Sequence, residues 1–224
     1  MVLDGMMKQN NKLVQISIGP VTLEGDLHIG SKRAIVLFVH GSGSSRRSPR
    51  NKYVSEELQK AGLGTLLFDL LTGEEERIDE QTAHLRFDIG LLADRLAATT
   101  EWLVGQTIID SDTKIGYFGA STGAAAALVA ASKKQEVVGA IVSRGGRPDL
   151  ARQYLEQVHA PTLLIVGGND RSVIGMNQEA FDGLKIRDKR LDILPGATHL
   201  FEEPGKLEQV ALLARGWFER YLLT

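Results

Sequence analysis

The chain has 224 residues, of which 43% are hydrophobic and 24% are charged, and its formal net charge is −2. A charge this close to zero gives no bulk attraction for nucleic acid or for an anionic membrane surface. The absence of cysteine excludes disulfides, a thiolate nucleophile and cysteine-ligated metal. No apolar run approaches the roughly 18 residues that a membrane-spanning helix needs.

The same features predict one globular domain over residues 1–224, because the length allows a sizeable core and no repeat or linker interrupts it. Residues 1–12 lack the apolar core and small-residue cleavage pattern of a signal peptide, so a cytoplasmic location is expected by default. We expect no cofactor or metal, a small molecule as partner, and a monomer or homodimer.

In chain order, residues 13–18 and 21–28 alternate apolar and polar around Gly19-Pro20, which predicts an antiparallel pair at a sheet edge. Strands and helices then alternate, which predicts a three-layer α/β/α sandwich of eight mostly parallel strands with six helices. The short acidic stretch Glu74-Glu75-Glu76 is interpreted as a solvated loop. The remaining predicted strands span residues 34–39, 64–69, 114–118, 138–143, 162–166 and 189–194, and the predicted helices span 51–61, 87–104, 122–132, 150–158, 177–183 and 206–223.

A G-x-S-x-G element, Gly119-Ala120-Ser121-Thr122-Gly123, lies between a predicted strand and an alanine-rich predicted helix. A sharp strand–turn–helix bend exposes the central serine as a nucleophile, and glycine on either side avoids steric clashes in so tight a turn. Taken alone, the pentapeptide also fits a helix entry with a serine N-cap. Ser121 is therefore a candidate nucleophile that needs support from the rest of the chain.

That support comes from Asp170 and His199, which follow the next suitable strand ends. Asp170 comes after an apolar strand that ends in glycines, and His199 lies in the loop after the strand at 189–194. The chain order Ser121, Asp170, His199 is that of an α/β-hydrolase. In such a triad the histidine acts as general base and the aspartate orients it. Three other aspartates are less well placed to orient the histidine: Asp182 on a predicted helix, Asp188 on a turn and Asp192 within a predicted strand.

The loop after the strand at 34–39, His40-Gly41-Ser42-Gly43, is the candidate oxyanion loop. In this fold one oxyanion donor is the backbone N–H after the nucleophile, here Thr122, and the other comes from this loop, here Ser42. Because both donors are backbone groups, their side chains are expected to matter little. His40 is interpreted as a structural histidine beneath the loop.

Four arginines are candidates for binding a substrate carboxylate or phosphate at the mouth of the site: Arg46, Arg47, Arg144 and Arg147. Guanidinium groups bind such anions bidentately, although exposed arginines in local salt bridges are an equally common alternative. Only about six residues after the strand at 138–143 separate it from the next helix, so little or no lid is expected there. An open site with little apolar wall favours small substrates.

The chain resembles the dienelactone hydrolase-like branch of the α/β-hydrolases, and in particular bacterial hydrolase domains found alone or fused to phosphoribosyltransferases. The segments that carry this resemblance span nearly the whole chain: residues 40–45, 67–72, 116–123, 143–149 and 196–205. The resemblance implies the α/β-hydrolase fold and the triad. The members that name the branch use a cysteine nucleophile where this chain has Ser121, which favours a general serine esterase.

Other functions remain open from sequence alone. A ligand-sensing protein of the same fold can retain the triad with little turnover, and an acyl-enzyme can pass its acyl group to peroxide or to another alcohol. A nucleotide-binding loop at residues 41–46 is disfavoured, because Arg46 stands where a sixth-position glycine is needed and no Lys-Ser/Thr pair follows. Small-ester hydrolysis is the principal hypothesis.

Overall fold

The computed structural model of this protein describes residues 11–31, 33–107 and 109–223. Its centre is one eight-stranded sheet in the order β1-β2-β4-β3-β5-β6-β7-β8. The six strands from β3 to β8 are parallel, and β2 joins them antiparallel through β4. The prediction that there is no signal peptide concerned residues 1–12. The first ten of these lie outside the described residues.

The strands of the described chain are Asn11–Ile18 (β1), Val21–His28 (β2), Ala34–Val39 (β3), Gly64–Phe68 (β4), Lys114–Ala120 (β5), Val138–Arg144 (β6), Thr162–Gly167 (β7) and Lys189–Leu194 (β8). The α-helices are Pro49–Lys60 (α1), Gly73–Thr82 (α2), Ile89–Val104 (α3), Thr122–Lys133 (α4), Arg171–Gly183 (α5) and Lys206–Leu222 (α6). Two 3₁₀ helices lie at Leu85–Phe87 and Pro148–Gln157.

Helices cover both faces of the sheet, which explains why its central strands are apolar along their whole length. Every residue of β3, β4 and β7 is buried. Helices α1 and α6 pack on one face, around Phe38, Phe118 and Phe218. Helices α3, α4 and α5 and the longer 3₁₀ helix pack on the other face. The predicted three-layer α/β/α sandwich of mostly parallel strands is confirmed.

The edge of the sheet also matches the prediction. Strands β1 and β2 pair antiparallel from Asn11↔His28 to Ile18↔Val21. Alternate residues of β1, including Val14 and Ile16, are buried against the core, while their neighbours are exposed. This alternation is what one buried face of an edge strand requires.

The structure corrects the interpretation of Glu74-Glu75-Glu76 as a solvated loop, because these residues form the first turn of α2. Thr72 caps this helix: its Oγ1 accepts a hydrogen bond from the Glu75 N–H at 3.2 Å, and the Glu75 carboxylate accepts one from the Thr72 N–H at 2.8 Å. Glu75 also pairs with Arg95 of α3 at 2.7 Å. Carboxylates in a first turn are favoured by the helix dipole, so the acidic run stabilises a helix.

Two further predicted helices differ from those observed. Helix α5 begins at Arg171, six residues before the predicted start, and the segment predicted as an α-helix at 150–158 is the 3₁₀ helix Pro148–Gln157. The connection from β6 to this 3₁₀ helix is only Gly145 to Arg147, so no lid is inserted there. In the described part of the chain no helix is long and apolar enough to cross a membrane.

The capping box of α2 predicts the effect of Thr72→Ala. Loss of an N-cap side chain costs about 0.5–2 kcal/mol of unfolding free energy. We expect a loss of that size in urea denaturation. Thr82→Ala, at the exposed last position of the same helix, is the matched control and should cost clearly less. Equal losses at both positions would contradict the assigned cap.

Candidate active site

Ser121 lies in a strained turn between β5 and α4. Its backbone has φ 51° and ψ −122°, a left-handed conformation that non-glycine residues rarely adopt. A Cβ at Gly119 would lie 2.5 Å from the Ala124 Cα, and one at Gly123 would lie 2.2 Å from the Val39 carbonyl oxygen. Glycine is therefore required on both sides of the turn, as the sequence pattern predicts.

Hydrogen bonds hold this turn against the end of β6. The Ser121 N–H donates to the Arg144 carbonyl at 3.1 Å, and the Arg147 N–H donates to the Ser121 carbonyl at 3.1 Å. Over-determined contacts of this kind allow a strained backbone to persist. They also fix the direction in which the Ser121 side chain leaves the sheet.

Asp170 and His199 are joined by a short hydrogen bond. Their Oδ2 and Nδ1 atoms are 2.6 Å apart, and the Asp170 side chain is 10% exposed against 38% for His199. Because the carboxylate accepts, Nδ1 carries the hydrogen and Nε2 remains for another partner. A buried acid on a half-exposed imidazole is the arrangement that orients a general base.

The two loops that carry this pair are bound to one another. The Asn169 N–H donates to the Ala197 carbonyl at 2.9 Å, and the Thr198 N–H donates to a Glu203 carboxylate oxygen at 3.0 Å. The latter bond lowers the pKa of Glu203 below its ordinary value. Phe201 is buried in a left-handed conformation, with φ 57°. The His199 loop is thus anchored at both ends.

Gly145 connects the histidine to the nucleophile segment. A Cβ built on Gly145 would lie 3.5 Å from both Cε1 and Nδ1 of His199, so the imidazole packs against this glycine. Gly145 directly follows Arg144, whose carbonyl binds the Ser121 N–H. The structure therefore joins Asp170 to His199 and places Ser121 at the same carboxyl edge of the parallel strands, where α/β proteins bind ligands.

The candidate oxyanion loop contacts the nucleophile turn directly. A Cβ on Gly41 would lie 3.0 Å from the Ser121 Cβ, so the loop passes close beside the serine. The Ser42 N–H donates to Oγ1 of Thr122 at 2.9 Å. This bond joins the two predicted donor residues. It gives the Thr122 side chain a structural contact, which the sequence analysis did not predict.

His40 is buried beneath this loop, consistent with the structural interpretation. Its Nε2 accepts a hydrogen bond from the Leu70 N–H at 3.1 Å, and its Nδ1 lies 3.1 Å from the Gly41 carbonyl. A ring that accepts at Nε2 and donates at Nδ1 is neutral. Burial lowers the pKa of His40, although the Gly41 carbonyl and Asp69 oppose this.

Arg46 is not free to bind a substrate anion, because three carboxylates already surround its buried guanidinium. It forms an ion pair with Asp69, lies 2.7 Å from Glu24 and lies 3.6 Å from Asp26. Its backbone N–H also donates to Asp69 at 2.7 Å. Arg46 thus ties the oxyanion loop to the middle of β2 and to the residue after β4, and its contribution is structural.

The other three candidate arginines have different surroundings. Arg147 forms a bidentate pair with Asp149 at 2.9 and 2.8 Å, so its guanidinium is also occupied. Arg47 is exposed beside the oxyanion loop. Arg144 is 7% exposed, and two of its nitrogens have no partner among the described residues. Only Arg47 and Arg144 remain candidates for binding an anion.

A cavity of about 320 Å³ opens beside the oxyanion loop. Ser121 and His199 do not line it, but Gly41 and Ser42 do, and Gly41 contacts the nucleophile turn. Its inner wall is apolar, and α2 with the following 3₁₀ turn supplies the outer wall; the lining includes Leu70, Leu71, Leu92, Glu76, Asp79, Glu80 and Arg86. Sequence reasoning missed the α2 residues, although the Thr72…Glu75 capping-box spacing could have predicted that helix.

The buried neutral state of His40 predicts a pH dependence of stability. Unfolding restores its ordinary pKa of about 6.5, so below that pH the unfolded state binds the proton first and the unfolding free energy falls. The slope is at most about 1.4 kcal/mol per pH unit for one proton. Desolvation lowers the pKa of His28 too, which adds in the same direction.

We expect urea denaturation between pH 7 and 5.5 to show this loss, and His40→Gln to reduce its slope. The glutamine oxygen can still accept from the Leu70 N–H. His159→Gln, at an exposed position, is the control. An unchanged slope in His40→Gln would show that another group carries the proton uptake.

Comparison with known proteins identifies the family and supports the fold. The model of the dienelactone hydrolase family matches residues 27–219. The crystal structure of a dienelactone hydrolase from Anabaena variabilis is 60% identical, with a TM-score of 0.90 over 95% of this chain and 98% of that chain. Est1E from Butyrivibrio proteoclasticus has a TM-score of 0.79 over 95% of this chain and 99% of that chain, but at 14% identity it supports the fold alone.

A putative phosphoribosyl transferase of Mycobacterium tuberculosis is 57% identical over 210 residues, which are 93% of this chain and 46% of that protein. This chain therefore spans about half the length of that protein. The match confirms the resemblance to hydrolase domains fused to phosphoribosyltransferases. The family match over residues 27–219 and the α/β-hydrolase architecture together establish that the chain belongs to the dienelactone hydrolase family.

Proposed function

We propose that this protein is a serine hydrolase that cleaves carboxylic esters or lactones of small substrates through an acyl-enzyme. The observation that carries the proposal is the strained turn of Ser121 beside the 2.6 Å Asp170–His199 hydrogen bond. Membership of a hydrolase family supports the reaction class. Serine in place of a more acidic thiol requires a base, and the Asp170–His199 pair can supply one.

In the proposed reaction, Nε2 of His199 takes the Ser121 hydroxyl proton while Oγ forms a bond to the ester carbonyl. The same proton then passes to the leaving alcohol oxygen as its bond to the acyl carbon breaks. Water repeats the sequence on the acyl-enzyme, releasing the acid and restoring Ser121. Asp170 holds the imidazole in the required tautomer through Nδ1 and stabilises the imidazolium that forms.

The backbone N–H groups of Thr122 and Ser42 are the proposed oxyanion donors. Thr122 begins α4, where the first N–H groups have no intrahelical acceptor and the helix dipole is positive. Ser42 is held against it by the 2.9 Å bond to Thr122 Oγ1. The Ser42 N–H is thereby held beside the nucleophile turn and exchanges this bond for one to the developing oxyanion, which it stabilises together with the Thr122 N–H.

The cavity beside the oxyanion loop is the proposed acyl site. Leu70, Leu71 and Leu92 form its apolar wall, and its volume of about 320 Å³ matches a small group. The three-residue connection after β6 adds no lid to extend it. Arg47 is exposed beside the loop and remains a candidate contact for an acidic substrate.

Substitution of the triad tests the reaction. Ser121→Ala should lower kcat for a small activated ester by roughly 10³–10⁶-fold, because the group acts in the chemical step. His199→Ala should lose a comparable factor, and the double variant little more, because the two residues act as one unit. Ser111→Ala, at the exposed turn before β5, is the control.

Fluorophosphonate labelling separates the alternatives in the same series. Labelling of the unmodified protein that is lost in Ser121→Ala, together with turnover, supports the hydrolase. Labelling without turnover of any activated ester would instead support a ligand-sensing protein. Near-normal turnover by Ser121→Ala would eliminate the proposed triad.

The acyl cavity predicts the chain-length preference. Esters with about two to four acyl carbons should have higher kcat/KM than those with ten or more, because further methylenes find no apolar wall to bury them at ~0.8 kcal/mol each. Leu92→Phe should lower kcat/KM for butyrate relative to acetate esters. Leu212→Phe, at a position 55% exposed on α6, is the control. If both variants keep the same acetate-to-butyrate ratio, the acyl group binds elsewhere.

A further inference from the structure

Two arginines at the carboxyl edge of the sheet have buried nitrogen atoms with nothing to bind. Nε and Nη1 of Arg144, and Nε of Arg50, are buried and have no hydrogen-bond partner among the described residues. Arg144 ends β6, and Arg50 is the second residue of α1. Buried N–H groups in proteins nearly always have an acceptor. Three unsatisfied nitrogens on two side chains whose charges interact therefore indicate that an acceptor is missing.

The charges of these arginines point to the same conclusion. Among the described residues no carboxylate pairs with Arg144, whose side chain is 7% exposed. Burial, followed by the positive charge of Arg50, lowers the pKa of Arg144 to about 10. Arg144 thus remains charged at neutral pH. Two like charges in a poorly solvated place are unfavourable unless an anion joins them.

The one carboxylate in contact with this pair is weakly held. Glu202 accepts from Nη1 of Arg50 at 2.8 Å, but its side chain is 61% exposed. Exposed ion pairs contribute little to stability, so an incoming anion can replace Glu202. The positive end of α1 begins beside Arg50 and adds to the attraction for an anion.

This pair adjoins the proposed catalytic residues. The Arg144 carbonyl accepts the Ser121 N–H at 3.1 Å. The next residue, Gly145, packs against the His199 imidazole, and Glu202 follows His199 by three residues in the same loop. An anion that replaces Glu202 would therefore bind beside the loop that carries His199.

We propose that Arg144 and Arg50 form a binding subsite for a carboxylate or phosphate group carried by the substrate. The guanidinium forks of the two residues match the oxygens of either anion. Anion binding at this place stands on the contacts above, whereas its assignment to the substrate rests on the proposed esterase function. Arg46 and Arg147 take no part, because carboxylates of the chain already occupy them.

Thermal unfolding tests anion binding without reference to catalysis. Sodium acetate or sodium phosphate, compared with sodium chloride at equal ionic strength, should raise Tm saturably by about 2–4 °C or more. The rise should be lost in Arg144→Met and should need less anion in Glu202→Gln, which removes the competing carboxylate. Arg152→Met, at an exposed ion pair with Glu179, is the control and should keep the rise.

The comparison of the variants also distinguishes a ligand site from a structural role. Removal of an unpaired buried charge by Arg144→Met should leave the Tm without added anion equal or higher. A marked fall would show that Arg144 is structural and would overturn the proposal. Failure of Arg144→Met to fold would count as such a fall. Arg50→Met, at a partly exposed position, is the second variant and should also abolish the rise in Tm on adding the anion.

Ester hydrolysis tests whether the anion belongs to the substrate. Monoethyl succinate should have a kcat/KM at least about 10-fold higher than ethyl succinamate, in which a neutral amide replaces the carboxylate. Arg144→Met should bring this ratio near 1, mainly through KM. A stabilising effect of acetate without this preference would mean that a free anion is bound. The absence of turnover in every variant, with Tm shifts retained, would refute the esterase and leave the anion site standing.

Discussion

The close approach of β3, β5 and α4 around Ser121 is the constraint on which the site depends. With a Cβ at Gly123, the start of α4 would collide with the β3 carbonyls, and with one at Gly119 the helix would collide with its own strand. This packing forces Ser121 into a left-handed conformation. The oxyanion loop continues from the same β3 strand, so one contact region fixes both the nucleophile and the loop beside it. The strain at Ser121 is offset by the core packing of three elements.

The proposed acid and base depend on a second set of contacts, between the loops after β7 and β8. These loops hydrogen-bond to one another at Asn169 and Ala197, so Asp170 and His199 keep their distance as a pair. Phe201, two residues after His199, is buried in the same apolar cluster as Val142 of β6 and Val210 of α6. The site is thus assembled at rigid strand ends, from the tight turn of Ser121, the short loop after β7 that carries Asp170 and the longer, internally bonded loop 195–205 that carries His199.

Local pattern was sufficient to predict the strands and the turn of Ser121, because each depends on neighbours within a few positions. A local signal for α2 was also present, in the capping-box spacing of Thr72 and Glu75. It was missed because the acidic run that follows Thr72 was interpreted as a solvated loop. The pairing of Arg147 with Asp149 was also local. Arg46 was different, because its partners Glu24 and Asp69 lie 22 and 23 residues away and meet it only once the sheet has formed. Burial of Arg144 could not be predicted either, since it depends on helices packed from elsewhere in the chain.

The hydrogen bond from Ser42 to Thr122 Oγ1 has a consequence for selectivity in the proposed reaction. Before substrate arrives, the donor is already satisfied by a neutral hydroxyl. A ground-state ester carbonyl is also a neutral acceptor and gains little by replacing it. The oxyanion of the tetrahedral intermediate accepts a charge-assisted bond of about twice the strength. The Thr122 hydroxyl thus competes with the substrate for the Ser42 N–H. As a result, this donor stabilises the oxyanion, which resembles the transition state, more than it stabilises the bound ester.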